Sequence, residues 1–385
     1  MKAKRVLASL LLAAVAAILG LAVVEGLCRA VLPEGSASSI VPDPVLGYRR
    51  APGARFVEEG ESPRRVVVTV NSQGWRGPDR PTQKPDGVFR VALLGDSYVE
   101  STAMEEAGTF GVLAEKALSG IAGRPVEVAN YGVSGYSPVQ YLLVLRDHVL
   151  AAKPDVVVLF YFPLNDLETM AADTAPTRLA PFAAAGPGGG LALDMSFART
   201  PAFALKRVGL ALRRELVSVN FLYERLQRLR LARYGLERHA QTALPSYLTL
   251  CTPRPDPKLA RNLDLLDRTL AEADRLCREN GARLVLVCVD YDGNTPGDEA
   301  RLKALDPDVD PFCLEQWARR WAEARGVPFV GLQRRFYDLA KATGRSYHWT
   351  HWNDEGHREV ARALTETLAP LLGPPSPRAQ SSAGN

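Results

Sequence analysis

Two parts of this sequence contain residue types that could carry out nucleophilic catalysis. Ser97 ends the tripeptide Gly95-Asp96-Ser97, directly after an apolar, β-branched run, and a glycine before it permits a tight turn that presents the serine hydroxyl. A serine becomes nucleophilic when a neighbouring general base removes its proton. The segment 347–357 holds three of the five histidines, so it can supply that base. These residues make Ser97 a candidate nucleophile.

Two further segments contain hydrogen-bond donors suited to a negatively charged oxygen. The first, 130–140, contains Gly132 and Gly135, where the backbone N–H groups can approach a substrate closely. The second contains Asn165, whose side-chain amide can donate to the same oxygen. Donors of this kind form an oxyanion hole, and each is typically worth ~10²–10³ in rate.

The histidine-rich segment also has simpler interpretations. Asn353 or Asp354 would cap the final helix, and His357 is expected on the surface of its first turn. His348 and His351 have a spacing that two metal ligands could use, but no acidic residue or cysteine accompanies them at a matching spacing. We therefore predict neither a metal nor a cofactor.

The segments with candidate chemistry lie within a regular alternation of strand-like and helix-like patterns. Apolar, β-branched runs predict strands at 89–94, 126–129, 155–161, 283–289 and 328–330. Helical periodicity predicts helices around 110–118, 139–152, 259–279, 314–325 and 355–372. This alternation predicts an α/β three-layer sandwich with a five-stranded parallel, flavodoxin-like sheet. In such a sheet, ligands bind outside the carboxyl ends of the strands, and that is where Ser97 and Asn165 occur.

A predicted insertion at about 168–257 separates the third strand from the fourth. It contains a turn rich in glycine and proline at 186–190, followed by a helical stretch over 199–239 with ten Lys and Arg against three Glu. This stretch could be a lid or a membrane-surface helix attracted to anionic lipid. The simpler interpretation, which we favour on sequence grounds, is an insertion with a solvated basic face.

The N-terminus predicts a membrane anchor. Lys2, Lys4 and Arg5 precede an uncharged apolar run at 6–24, which as a helix spans roughly 28 Å. A secretory signal peptide is the competing interpretation, but residues 24–28, at the end of the apolar run, form a poor cleavage site. We therefore predict a signal-anchor helix within 1–28. The positive residues place the N-terminus in the cytoplasm and the rest of the chain outside the cell (inner) membrane.

Composition and charge exclude some classes of function. Hydrophobic residues at 46% and charged residues at 23% are typical of a globular protein. A net charge of +4 is small for 385 residues, and no basic stripe interleaved with aromatics is present, so the sequence does not predict nucleic-acid binding. Nothing in the sequence indicates an oligomeric state.

The segments outside the alternating region and the cysteines give further expectations. Residues 29–88 are expected to form an extracytoplasmic juxtamembrane segment that partly packs on the following domain, and 374–385 a disordered tail. The five cysteines form no close pair and no metal-ligand spacing. An exported domain could form a disulfide, but we expect mostly buried free thiols.

The four chemical segments resemble, in order and position, the conserved blocks of the SGNH (GDSL-type) hydrolases. The resemblance covers roughly 66–372 apart from the insertion, and the lead-in at 71–77 resembles membrane-anchored bacterial members. It implies a hydrolase-like domain at 89–373, with Ser97 as nucleophile and His351 as general base. The oxyanion hole would comprise the Ser97 N–H, Gly135 in preference to Gly132, and Asn165. Possible supporting residues are Asp96, Gly132 and His348.

One departure from the family pattern affects the expected activity. The family places an aspartate two or three residues before the histidine, but this sequence has Trp349 and His348 there. His351 must then be oriented by a backbone carbonyl, by a distant acid, or by nothing. The resemblance implies an extracytoplasmic serine esterase or O-acyltransferase that acts on O-acyl groups of envelope glycans or lipids. The alternative is a catalytically weak or inactive scaffold or glycan-binding protein in envelope polysaccharide assembly.

Overall fold

The N-terminal helix is the first element of the chain. The computed structural model describes residues 2–33, 35–239, 244–290 and 295–373, so the predicted tail at 374–385 lies outside the described residues. Helix α1 (Lys2–Val31) is long and apolar enough to cross a membrane, and no part of its apolar window is buried by the rest of the protein. Both an anchor and a signal sequence have these properties.

The central sheet has five parallel strands. In chain order the strands of the described residues are β1 (Ile40–Asp43), β2 (Gly47–Arg50), β3 (Arg55–Glu58), β4 (Val66–Thr69), β5 (Phe89–Leu94), β6 (Val126–Asn130), β7 (Val156–Tyr161), β8 (Phe182–Ala185), β9 (Leu191–Asp194), β10 (Arg283–Cys288) and β11 (Phe329–Gly331). The sheet order is β11-β10-β7-β5-β6. Counting only these five strands, this is the 2-1-3-4-5 order of flavodoxin-like folds. The predicted fold is confirmed, with each strand end within one residue of its predicted position.

The predicted strands form because their runs are apolar on both faces. All side chains of β5 and β7 are buried, as is every side chain of β10 after its first residue. Parallel strands with helices on both faces require such continuous apolar sequence. The α-helices after α1 are α2 (Ser97–Glu100), α3 (Phe110–Ala122), α4 (Pro138–Val144), α5 (Pro163–Asp166), α6 (Pro201–Glu215), α7 (Val217–His239), α8 (Pro257–Glu279), α9 (Pro296–Leu305), α10 (Cys313–Glu323), α11 (Leu332–Thr343) and α12 (Asp354–Leu368). Helix α3 packs on α12, and α4 on α8.

The helical predictions differ from the structure in four places. The predicted helix at 139–152 is α4, which continues as a π turn over Leu145–Val149. Helices α9 and α11 were not predicted, although α11 has an amphipathic pattern that could have shown it. The predicted helical stretch at 199–239 is two helices, because Leu216 adopts an extended backbone between α6 and α7.

The segment before the main sheet packs closely on it. It forms two antiparallel hairpins, β1–β2 and β3–β4. Arg50 makes a buried ion pair with Glu100, at the end of helix α2. The buried Arg76 guanidinium donates to the carbonyls of Glu100 (2.8 Å), Ser101 and Met104. These contacts hold the segment before the main sheet against helix α2, which Ser97 begins, and against the loop after α2.

Three of the five cysteines are free thiols, two of them buried as expected, while the other two are paired. Cys251 and Cys313 form a disulfide, because the end of the insertion returns beside the start of α10. Cys277 and Cys288 are buried thiols, and burial raises the pKa of Cys277 to about 12. Cysteines 62 positions apart carry no sequence signal of pairing, so only the fold reveals this bridge.

The disulfide is expected to stabilise the domain. For a closed loop of this length, the loss of denatured-state entropy corresponds to about 4 kcal/mol in the free energy of unfolding. Guanidinium unfolding of detergent-solubilised full chain, followed by circular dichroism, should show that dithiothreitol lowers the wild-type stability to that of a Cys251→Ser/Cys313→Ser variant. The double variant is the control, since reductant should leave it unchanged. A wild type insensitive to reductant would contradict the prediction.

Candidate active site

Ser97 lies at the carboxyl end of β5, as the sequence predicts. It begins the short helix α2, and the Asp96 carboxylate caps that helix by accepting a hydrogen bond from the Tyr98 amide (3.0 Å). The helix ends at Glu100, and the next residue, Ser101, has a left-handed backbone (φ 57°). Asp96 and Tyr98 are buried while Ser97 is partly exposed, so its hydroxyl is the accessible group of this turn.

His351 lies directly against the serine. Its Nε2 is 2.7 Å from Ser97 Oγ, within hydrogen-bond distance of the proton that it would remove. The Tyr98 ring packs edge-on against the imidazole, with ring centroids 4.7 Å apart. The next residue, Trp352, is buried and donates its Nε1 hydrogen to Asp290 (2.7 Å), at the carboxyl end of β10. These contacts fix the position of the imidazole.

Glu61 supplies the carboxylate that is absent at 348 and 349. Its Oε1 lies 2.8 Å from His351 Nδ1 and also accepts a hydrogen bond from the His351 backbone amide (2.6 Å). Glu61 belongs to the loop between β3 and β4, and it is 290 positions from His351 in the sequence. Arg64 in the same loop pairs with Asp354 (2.7 Å), which begins α12. The β3–β4 loop therefore contacts both His351 and the first residue of α12.

The charges of Glu61 and His351 stabilise each other. Burial works to raise the pKa of Glu61, but the hydrogen bonds and charge of His351 outweigh it, so this pKa is lowered. Burial works to lower the pKa of His351, but the hydrogen bond and charge of Glu61 outweigh it and raise this pKa above 6.5. The pair therefore favours an ionised carboxylate beside an imidazole that readily accepts a proton.

Asn165 lies beside the turn that contains Asp96 and Ser97. Its Nδ2 donates to Asp96 Oδ2 (3.0 Å), which leaves a second Nδ2 hydrogen for a substrate oxygen. Exchanging the amide atoms would direct Oδ1 at a carboxylate, so the chemistry of Asp96 sets this orientation. Burial raises the pKa of Asp96, and the hydrogen bonds from Asn165 and the Tyr98 amide oppose that rise. Asp96 therefore positions both the helix of Ser97 and the amide of Asn165.

The two predicted glycines have different structural roles. Gly135 has a φ of +79°, and a Cβ there would lie 2.8 Å from Tyr48 Oη. Gly132 packs directly on α2, since a Cβ there would lie 2.6 Å from the Cβ of Val99. The Gly132 amide also donates to the Asn130 side chain (2.8 Å). Gly132 therefore allows close packing, while Gly135 remains the better candidate oxyanion donor.

The other two histidines of the segment occupy interior positions. His348 Nε2 lies 3.0 Å from Asp290 Oδ2, so His348 supports the turn through Asp290, while His351 faces Ser97 and Glu61. The expectation that His357 is a surface residue is wrong. His357 is 2% exposed and its Nδ1 accepts a hydrogen bond from the Phe110 amide. Burial, together with Arg76, lowers its pKa to about 3, so this imidazole is neutral and structural.

The site combines predicted residues with one that sequence reasoning missed. Ser97 and Asn165 follow the carboxyl ends of β5 and β7, as the motif positions predict, and His351 reaches Ser97 from the loop between α11 and α12. Glu61 was missed, since no spacing rule connects a hairpin loop to a histidine at the other end of the chain. Of the two predicted caps, Asn353 and not Asp354 caps α12, accepting hydrogen bonds from the amides of Glu355 and Gly356.

Several solved structures are similar to this chain. A lipase/acylhydrolase from Enterococcus faecalis is 14% identical, with 75% of this chain and 99% of that chain covered and a TM-score of 0.37. A catalytic mutant of an acetylxylan esterase from Geobacillus stearothermophilus is 14% identical, with 74% and 94% covered and a TM-score of 0.39. A structure from Desulfitobacterium hafniense, assigned to the G-D-S-L family of lipolytic proteins, is 11% identical, with 72% and 99% covered and a TM-score of 0.35.

The sequence comparisons find no relative. No protein-family model matches the sequence, and no curated protein matches it. The similar structures are of the kind that the sequence motifs resemble, but their likeness is distant. The strand order establishes the fold independently, and the chemistry has to be argued from the residues of this chain.

Proposed function

We propose that this protein is a serine esterase or O-acyltransferase of SGNH type. The observation that carries the proposal is the continuous line of hydrogen bonds from Ser97 Oγ through His351 to Glu61. A nucleophile, a base within hydrogen-bond reach of it, and a third group that orients the base are the elements of an acyl-transfer triad.

The reaction follows from the geometry. Ser97 Oγ attacks the ester carbonyl while His351 Nε2 takes the hydroxyl proton, and Glu61 stabilises the resulting imidazolium. The Ser97 and Gly135 amides and Asn165 Nδ2 would donate to the oxyanion of the tetrahedral intermediate. The intermediate collapses as His351 gives the proton to the departing alcohol, which leaves an acyl group on Ser97. Water or an acceptor hydroxyl then attacks this acyl-enzyme, and Ser97 recovers its proton.

We also propose that α1 is an uncleaved anchor and that the catalytic domain lies outside the cytoplasm. The uncovered apolar run of α1, which follows Lys2, Lys4 and Arg5, supports this topology. The disulfide between Cys251 and Cys313 also supports it, because disulfides persist in oxidising compartments. An acylated glycan or lipid of the cell envelope is the substrate class that fits this location.

The alternative of an inactive scaffold or glycan-binding protein has lost its main support. It rested on the missing acid before His351, and Glu61 occupies that role in space. A scaffold has no need of a serine, a histidine and a carboxylate joined by hydrogen bonds. Catalysis is therefore the better-supported function.

Covalent labelling tests the proposal. The full chain in detergent should react with a fluorescent fluorophosphonate probe, because Ser97 is activated by His351. The Ser97→Ala variant should lose the label, while Ser119→Ala, a change of a serine on α3, should keep it. Wild-type protein that remains unlabelled, or a Ser97→Ala variant labelled equally, would overturn the proposal.

Asn165 offers a separate test of the oxyanion hole. Asn165→Ala should lower kcat for acetyl-ester hydrolysis by ~10²–10³, with a smaller effect on KM, because the lost hydrogen bond forms fully only in the transition state. Steady-state kinetics with p-nitrophenyl acetate measures this loss. As a control, Asn280→Ala alters an exposed side-chain amide at the end of α8 and should leave kcat unchanged. An equal kcat for Asn165→Ala and wild type would remove Asn165 from the oxyanion hole.

A further inference from the structure

Helices α6 and α7 expose an unusual number of large apolar side chains. In α6 these are Leu205, Val208 and Leu212, and in α7 they are Phe221, Leu222, Tyr223, Leu226 and Leu229, with exposed fractions between 38% and 73%. The spacings within 205–212 and 222–229 each place side chains on one face of a helix. Outside these helices and α1, the described part of the chain exposes only two large apolar side chains, Val67 and Ile121. Such a concentration marks an interaction surface.

The same helices are strongly basic. Exposed arginines lie between the apolar positions, at Arg207 and Arg214 in α6 and at Arg225, Arg228 and Arg230 in α7. Over 199–239 ten Lys and Arg stand against three Glu. Apolar side chains interleaved with arginines are typical of helices that lie in the interface of an anionic bilayer.

The corner between α6 and α7 is attached to the outer end of α1. The Glu25 carboxylate accepts hydrogen bonds from the amides of Val217 and Ser218 (both 3.0 Å) and from the Ser218 hydroxyl (2.7 Å). Arg29 donates to the Glu215 carbonyl (2.6 Å). The uncharged run of α1 ends at residue 24, so these contacts lie where a spanning α1 would leave the hydrocarbon. Helix α6 therefore ends, and α7 begins, at the level of the membrane surface.

We propose that the exposed apolar and basic surface of α6 and α7 lies on the outer face of the anionic bilayer that α1 crosses. This inference rests on the anchoring proposed above. It replaces the sequence-based preference for a merely solvated basic insertion. Two attachments, a spanning helix and an interfacial helix pair joined by Glu25, would restrict the orientation of the catalytic domain relative to the membrane.

Spin labelling of the full chain in nanodiscs tests the proposal. Single cysteines replace Leu226 in α7, Leu19 in α1 and Ile121 in α3, in a Cys28→Ser background where Cys277 and Cys288 are buried and the other two cysteines are bridged. Power saturation compares nitroxide accessibility to oxygen, which concentrates in lipid, with accessibility to a water-soluble nickel chelate. In discs with phosphatidylglycerol, the label at 226 should favour oxygen, as at 19, whereas the label at 121 should favour nickel.

The outcomes separate this proposal from the anchor itself. A label at 226 that behaves like the one at 121, while 19 remains in lipid, overturns the surface but leaves the anchor. A label at 19 in water overturns the anchor as well. Protection at 226 from both reagents would show that protein covers α7, a second copy or another partner, and would also overturn the proposal.

The role of charge is tested by reversing it. Arg225→Glu/Arg230→Glu should lower the oxygen preference of the label at 226 in anionic discs and leave the label at 19 unaffected. Wild-type protein should show a weaker oxygen preference at 226 in discs of phosphatidylcholine alone, since basic residues near the surface are attracted to anionic lipid. An oxygen preference equal in both lipids would overturn the electrostatic part of the proposal.

Discussion

Replacing His351 with alanine is expected to lower kcat for ester hydrolysis by about 10⁶, to the level of Ser97→Ala. The reason is that Ser97 Oγ has its proton acceptor 2.7 Å away, at His351 Nε2, and is a weak nucleophile without it. Steady-state kinetics with an acetyl ester measures the loss, and circular dichroism checks that the variant is folded.

A double variant makes this prediction more specific. Because serine and histidine act in the same step, Ser97→Ala/His351→Ala should be no slower than either single variant. His148→Ala is the matched control, since this imidazole packs on the ring of Trp75 instead. Wild-type rates in His351→Ala, or losses that multiply in the double variant, would show that the two residues do not act as a unit.

Replacing Glu61 with glutamine is expected to lower kcat by roughly 10⁴, by analogy with removal of the triad acid in serine proteases. The amide keeps the shape of the side chain but cannot stabilise the imidazolium that forms when Ser97 attacks. Glu61 acts through His351, so it is a positioning residue. Its role has to be separated from a merely structural one.

The pH profile provides that separation. The base must be neutral to accept a proton, so wild-type kcat/KM should rise with pH through an ionisation above 6.5, where Glu61 holds the pKa of His351. In Glu61→Gln, burial is no longer offset by the carboxylate, so this ionisation should move to lower pH. Glu59→Gln, which changes an exposed carboxylate in the same loop, should retain the wild-type profile. An unchanged midpoint in Glu61→Gln would mean that Glu61 does not control His351.

The position of Glu61 bears on how catalytic sites are identified from sequence motifs. The family motif places the acid close to the histidine in sequence, and its absence here suggested an impaired enzyme. The hairpin of β3 and β4 brings a carboxylate to the same imidazole nitrogen from the N-terminal side of the chain. A missing motif residue is therefore weak evidence of lost activity when a segment outside the motif packs against the site.

The amino-acid sequence by itself determined the sheet and the positions of Ser97 and Asn165. The strands are continuous apolar runs of local origin, and parallel strands bring the residues that follow their carboxyl ends to one edge. A polar residue directly after a buried strand can thus be assigned to the site without coordinates. The same local logic located Asn353 as the cap of the last helix.

Only the tertiary structure decided which groups meet across long separations. The contact of Glu61 with His351, the disulfide of Cys251 with Cys313 and the burial of His357 against Phe110 depend on how hairpins, insertion and helices dock. The attachment of α7 to Glu25 is of the same kind. Docking depends on the sum of many weak contacts between elements, and no local pattern of residue types encodes that sum. The carboxylate that completes the site is therefore visible only in the folded chain.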